Sequence, residues 1–284
     1  MKLLVTGAAG MLGRDVMLAA GNAGHDVVGF GHAELDVADE AAVGAKFELE
    51  RPDVAINCAA WTDVDGTEEA EEEATRINGA GAGNVAAAAA SVGASVVQVS
   101  SDYVFDGSKG APYVETDQTA PLSAYGRSKL AGEEAARAAN KRHFVVRSAW
   151  LFGIGGPNFV ETMLRVGASQ PEVIVVSDQV ASPTYTWHLA YGIVRLIEGV
   201  EYGIHHMAAA GACSWYEFAR EIFDQAKVEC KVMSATTDML GRPAPRPPYS
   251  ALTSQREHAI ELPSWQDGLA AYLAQRRAET EAAA

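Results

Sequence analysis

Tyr125-Gly126-Arg127-Ser128-Lys129 sets a phenol and an amine four residues apart. On a helix such residues share one face, close enough to act together. A free tyrosine titrates near ~10, too high for proton exchange at neutral pH, and a neighbouring ammonium lowers that value by stabilising the phenolate. The pair therefore suits acid–base work at an oxygen. A second chemistry is written near the start of the chain. Gly7-Ala8-Ala9-Gly10-Met11-Leu12-Gly13 is a G-x-x-G-x-x-G run between an apolar stretch and a helix. Gly7 permits a tight turn, Gly10 lets the backbone approach a pyrophosphate, and Gly13 allows close packing of helix on strand. Unpaired N–H groups at the helix start favour an anion there. Strand, loop and helix together indicate a dinucleotide.

These residues need a scaffold that brings them to one edge. Apolar runs at Lys2–Thr6, Asp26–Phe30, Val54–Cys58, Ser95–Ser100 and Phe144–Ser148 read as strands. Helical stretches at Met11–Ala23, Asp39–Glu50, Glu68–Ala90 and Ser123–Ala139 separate them. This alternation predicts an α/β fold, a doubly wound parallel sheet of Rossmann type covered on both faces. Residues 1–148 are expected to form the dinucleotide-binding domain, with the sheet completed by parts of 173–207. Residues 149–284 are expected to form a smaller, interleaved substrate-binding lobe. It contains a strand at Val173–Val176, a helix at His188–Ile197, a strand at Gly203–Met207 and an irregular Arg242–Pro248 connection. The run Glu68–Glu73 reads as a solvated helix face, and Arg276–Ala284 as a frayed helical end.

The sheet edge supplies a third chemical group. Ser100-Ser101-Asp102 ends the fourth strand on the side where the cofactor must lie, so the Ser101 hydroxyl stands beside Tyr125. Lys129 is placed to hold a nicotinamide ribose as well as, together with the oxidised nicotinamide, to steady the phenolate. Cofactor choice is less sharply written. The second strand ends Phe30-Gly31-His32, with neither a carboxylate to accept from ribose hydroxyls nor an arginine for a 2′-phosphate. Dual use of NADH and NADPH is therefore expected, with His32 giving only a weak, pH-dependent preference.

Composition narrows the class. Lys and Arg number 22 against 37 Asp and Glu, a net charge of −15 with no basic concentration, which argues against a nucleic-acid partner. No run approaches the ~18 apolar residues of a membrane span, and Met1-Lys2-Leu3 leads directly into the glycine motif, so a cytoplasmic protein without a membrane partner is expected. Cys58, Cys213 and Cys230 have no C-x-x-C spacing, and Cys58 reads as a small buried thiol. Adjacent His205 and His206 would point to opposite faces of a strand, so no metal site is expected.

The chain resembles the dTDP-4-dehydrorhamnose reductase family of the extended short-chain dehydrogenase/reductase superfamily. The central signal is Val99-Ser100-Ser101-Asp102-Tyr103-Val104-Phe105-Asp106-Gly107. Further similar stretches are Asn57–Asp65, Pro121–Gly126, Arg147–Gly153, Asn158-Phe159, Asp178-Gln179, Pro183-Thr184 and Arg246-Pro247 followed by Ser250 and Leu252. The resemblance implies NAD(P)H-dependent reduction of the C4 ketone of a dTDP-linked sugar, with hydride to C4 and the proton from Tyr125. It implies a catalytic set of Ser101, Tyr125 and Lys129, and substrate contacts from Asp102 and Trp150. It implies a cofactor lining of Gly10, Met11, Leu12, Asp36, Val37, Ala59, Ala60 and Trp61. Ser101 stands where the family usually has Thr, Trp61 is bulkier than usual, and Thr253 stands where the motif commonly continues to Asp. Arg246 is the candidate cation for the substrate diphosphate. A 4,6-dehydratase would need a second acid after Asp102, where Tyr103 stands. A 4-epimerase and a non-catalytic dinucleotide-binding regulatory subunit stay open as alternatives. The expected partner is a nucleotide sugar, with a homodimer as the assembly to test.

Overall fold

Five of the apolar runs pair in the computed structural model, which describes residues 1–283. Strands β1 (Lys2–Thr6), β2 (Asp26–Phe30), β3 (Val54–Asn57), β4 (Ser95–Ser101) and β5 (His143–Ser148) are joined by β6 (Gly203–His206). They form one parallel sheet in the order β2-β1-β3-β4-β5-β6. β3 and β4 are buried along their whole length because helices cover both faces, which explains why they read as near-continuous apolar runs. After β1 the chain pairs first to one side and then to the other. The crevice outside the carboxyl ends of β1 and β3 is thus the switch point where such sheets bind ligands.

The covering helices are α1 (Met11–Asn22), α2 (Glu40–Glu50), α3 (Gly81–Ser91), α4 (Ala124–Ala139) and α5 (Thr186–Leu196). Asp39 caps α2 by accepting the Ala42 N–H at 3.0 Å, and Ser123 caps α4 by accepting the Gly126 N–H at 3.1 Å. α5 packs on α1, with Leu189 and Ile193 in the same core cluster as Leu12 and Val16. A second cluster around Phe152, Phe218, Ile222, Trp265 and Tyr272 forms the core of the remaining lobe.

Several sequence expectations shift. Glu172–Val176 does not join the main sheet but pairs in parallel with Lys231–Ala235. The stretch expected to be helical from Glu68 to Ala90 is interrupted at Ala70, whose backbone is non-helical, and contains a π-helical turn at Arg76–Ala80 before α3. The acidic run is not merely a solvated face. Glu68 accepts the Ala124 N–H at 2.8 Å, and Glu71 holds Arg127 at 2.6 Å, tying this segment to α4. The end expected to fray is helical, the last helix running Trp265–Ala283 with Arg276 paired to Glu161 at 2.6 Å; Ala284 lies outside the described residues. Cys58 is half-buried rather than fully buried, because the chain leaves β3 there and turns along the crevice. Among the described residues no helix is long and apolar enough to cross a membrane.

Candidate active site

The glycine loop leaves β1 at the switch point and fits a dinucleotide pyrophosphate. Gly7 has φ +68°, and a Cβ there would lie 2.6 Å from the Ala59 N. A Cβ on Gly13 would lie 2.2 Å from the Gly7 carbonyl oxygen, so the loop can close only over bare backbone. Gly10 is exposed at the start of α1, where no side chain caps the helix and no acid stands in the first turn. Donors and space suited to a diphosphate are both present. Met11 is half-buried against Gly156 and Asn158. Leu12 is only 7% exposed and packs into the core, so any contact it makes in the cradle comes from its backbone.

The adenosine side of the crevice is less simple. Asp36 accepts the Ala38 N–H at 2.9 Å and approaches Arg76 at 3.5 Å, while the cap of α2 is Asp39. Val37 is buried against α3, so its side chain belongs to the core. His32 is exposed, and Glu34 folds back to accept the Gly31 N–H at 2.9 Å. On the opposite wall Ala59, Ala60 and Trp61 are all half-buried beyond β3.

Ser101, Tyr125 and Lys129 come together at the carboxyl end of β4, with Asp102 among them. Ser101 is buried, accepts the Tyr103 N–H at 3.2 Å and lies 3.0 Å from an Asp102 carboxyl oxygen. Tyr125 packs edge-on to Tyr103 at 5.6 Å. Burial pushes the Tyr125 phenol up to about 12, against the lowering effect of its hydrogen bond with Ser101; the nearby Asp102 charge adds to the rise. The lowering expected from Lys129 and an oxidised nicotinamide together is not seen in the protein without cofactor, where desolvation outweighs the Ser101 hydrogen bond. Lys129 is buried and donates to the Val99 carbonyl at 2.8 Å. Burial lowers its ammonium to about 8, with the Glu133 charge opposing. Glu133 in turn forms a buried pair with Arg147 at 2.7 Å and accepts from Ser100 at 2.6 Å.

Beyond β5, Trp150 has φ +46° and stacks on Trp215, with ring centres 3.5 Å apart and planes within 8°. Arg246 reaches the crevice but is not free. Its guanidinium grips Asp65 through two bonds of 3.1 and 3.0 Å, and Arg242 adds a third at 3.3 Å. His205 and His206 are both buried on backbone carbonyls: Glu201 for His205, and Tyr113 and Thr253 for His206.

Three residues outside the sequence-derived set organise the site. Asn78, on the π-helical turn, accepts the Trp61 N–H at 2.8 Å and donates to the Trp61 carbonyl at 3.0 Å and to Ser128 at 2.9 Å. It clamps the loop after β3 to α4 between Tyr125 and Lys129. Ser250 donates to Asp102 from far along the chain. Asn57, through Thr6 at 2.6 Å and Gln98 at 2.7 Å, links β1, β3 and β4 beneath the crevice. All three lie in stretches the sequence marks without giving these residues a role: Asn57 and Ser250 in segments similar to the family, and Asn78 within the helical stretch Glu68–Ala90.

Comparison with known proteins agrees with this geometry. The family described as RmlD substrate binding domain matches residues 1–278. A curated dTDP-4-dehydrorhamnose reductase of Mycolicibacterium smegmatis is 42% identical over 270 residues, 94% of this chain and 82% of that protein. A crystal structure of a dTDP-4-dehydrorhamnose reductase from Clostridium acetobutylicum superposes with a TM-score of 0.93 at 41% identity, covering 98% of this chain and 100% of that one. The Bacillus anthracis reductase, solved in complex with NADP, gives 0.94 at 38% identity, covering 96% and 99%. The glycine cradle, the Ser101–Tyr125–Lys129 cluster and a match that spans nearly the whole sequence agree: the chain belongs to the dTDP-4-dehydrorhamnose reductase family.

Proposed function

We infer that this protein reduces the C4 ketone of dTDP-4-dehydro-L-rhamnose to give dTDP-L-rhamnose, using NADH or NADPH. The observation that carries this reading is the convergence of Ser101, Tyr125 and Lys129 at the end of β4, beside a crevice whose glycine loop suits a dinucleotide. The bound nicotinamide supplies the hydride for C4. Tyr125 gives its proton to the developing alkoxide, and the Ser101 hydroxyl steadies that oxygen. Lys129, held on the Val99 carbonyl, takes the nicotinamide ribose and, with the bound cofactor, steadies the phenolate. Gly7, Gly10, Met11, Gly13, Asp36, Ala59, Ala60 and Trp61 line the dinucleotide, with Leu12 and Val37 contributing backbone.

Asp102 and Trp150 bind the sugar nucleotide, and Arg246 exchanges Asp65 for the substrate diphosphate. The protein works in the cytoplasm as a homodimer, supplying activated rhamnose for cell-wall polysaccharide. The test follows loss of reduced-nicotinamide absorbance with the dTDP-4-ketosugar. Stoichiometric oxidation with formation of dTDP-L-rhamnose is expected. Sugar interconversion without net oxidation would mark an epimerase. Dinucleotide binding without turnover would mark a regulatory subunit.

A further inference from the structure

The end of β2 carries a carboxylate that its own residues do not provide. The strand stops at Phe30, and the next position is Gly31, which has no side chain to offer a ribose. Glu34 fills that place from three residues on. Its Oε2 accepts the Gly31 N–H at 2.9 Å, and the Gly31 carbonyl accepts the Glu34 and Leu35 N–H groups, both at 3.0 Å, closing a tight turn. A Cβ built on Gly31 would lie 3.6 Å from Glu34 Oε2 and 3.2 Å from the Ala9 Cβ. The carboxylate therefore sits in van der Waals reach of the point where a side chain at position 31 would begin, alongside the glycine loop. Ala8 donates to the Phe30 carbonyl at 3.1 Å and fixes loop and strand end together.

We propose that Glu34 is the specificity-determining residue for the cofactor. In folds of this type an acid about 20 residues after the glycines accepts from the adenosine ribose hydroxyls. A carboxylate held by one oxygen keeps lone pairs for that purpose. Its charge repels a 2′-phosphate. Arg76, the cation beside Asp36 on this side of the crevice, does not offset this, because it is already engaged by Glu73 at 2.7 Å and approached by Asp36 at 3.5 Å. Glu34 is solvent-exposed, so water and salt screen the repulsion. Both dinucleotides are used, with NADH favoured by about threefold to tenfold.

The proposal rests on the dinucleotide-binding reading, and titration of the intact protein separates the two. NADH and NADPH are titrated by fluorescence into wild type, Glu34→Gln and Glu34→Lys, at low and moderate salt. Glutamine keeps an acceptor for the Gly31 N–H, so the turn survives while the charge is lost. The NADPH-to-NADH affinity ratio should rise at least about fivefold in Glu34→Gln and further in Glu34→Lys, and salt should raise it in wild type only. A ratio that moves less than twofold in Glu34→Gln, with an unchanged melting temperature, overturns the assignment. Wild type that binds neither dinucleotide overturns the cofactor reading beneath it.

Discussion

Asp102 lies 3.0 Å from the Ser101 hydroxyl, the group proposed to steady the developing alkoxide, and a negative charge there would oppose reduction. It is 1% exposed, and burial pushes it up to about 7 against the lowering effect of hydrogen bonds from Ser250 and Ser101. Its folded value lies above the unfolded one, so it favours the native state fully below about pH 4, and that contribution is lost as pH rises toward 7. The melting temperature of wild type should therefore fall between pH 5 and pH 8 by more than that of Asp102→Asn. The same substitution should remove an ionisation near pH 7 from the kcat/KM profile; a profile unchanged in both respects would mean that Asp102 is ionised throughout. Tyr125→Phe keeps the ring that packs on Tyr103 but removes the proton donor. Turnover should drop on the order of 10²–10⁴-fold while NADH titrates as before, and near wild-type turnover would remove Tyr125 from the mechanism.

Single elements hold the site only as well as the clamps between them. Asn78→Ala removes three hydrogen bonds joining the Trp61 loop to α4, each worth about 1 kcal/mol. A loss of about 2–4 kcal/mol in denaturant unfolding is expected, together with weaker dinucleotide binding. The glycine loop makes a sharper contrast. A Cβ on Gly10 would meet only the Gly7 carbonyl at 3.3 Å, so Gly10→Val should fold yet weaken NADH and NADPH together in titration. Gly13→Ala, with 2.2 Å to the same oxygen, should lower the melting temperature markedly even without cofactor. Strands β1, β3, β4 and β5 were legible because burial on both faces writes them as near-continuous apolar runs, and the half-buried edge strand β2 because Val27 and Val28 stand between Gly24 and Gly31. Tyr125 and Lys129 were legible because helical spacing puts them on one face. Asn78 was not, since it serves the Trp61 backbone and any sequence there offers the same N–H and carbonyl. Glu34 was not legible because it lies beyond the strand end at Phe30-Gly31-His32, and only the turn returns its carboxylate there. The Arg246–Asp65 and Ser250–Asp102 pairs join residues that only the finished fold brings into contact.

At the scale of the whole molecule, a chain of net charge −15 must admit two anions, so its few inward cations matter. Burial opposes ionisation of Asp65, but bonds and charge from Arg246, Ala244 and Arg242 prevail and hold its carboxyl below the usual range. Arg246→Ala should raise KM for the nucleotide sugar about tenfold or more while leaving NADH affinity unchanged; an unaltered KM would place the diphosphate elsewhere. The long return of the chain to its first sheet has a different consequence. β6 completes the edge beside β5, and α5 covers α1, yet both follow the excursion that begins the other lobe. During synthesis, a chain that has reached Ser148 displays an open strand edge and an uncovered apolar helix flank. Translation from there to His206 occupies roughly three to twelve seconds at ribosomal speed, an interval in which the nascent protein is at its stickiest. A polypeptide stopped at Ser148 should collect in the insoluble fraction, and the full-length chain should not, so the period of greatest risk for this protein precedes its release from the ribosome.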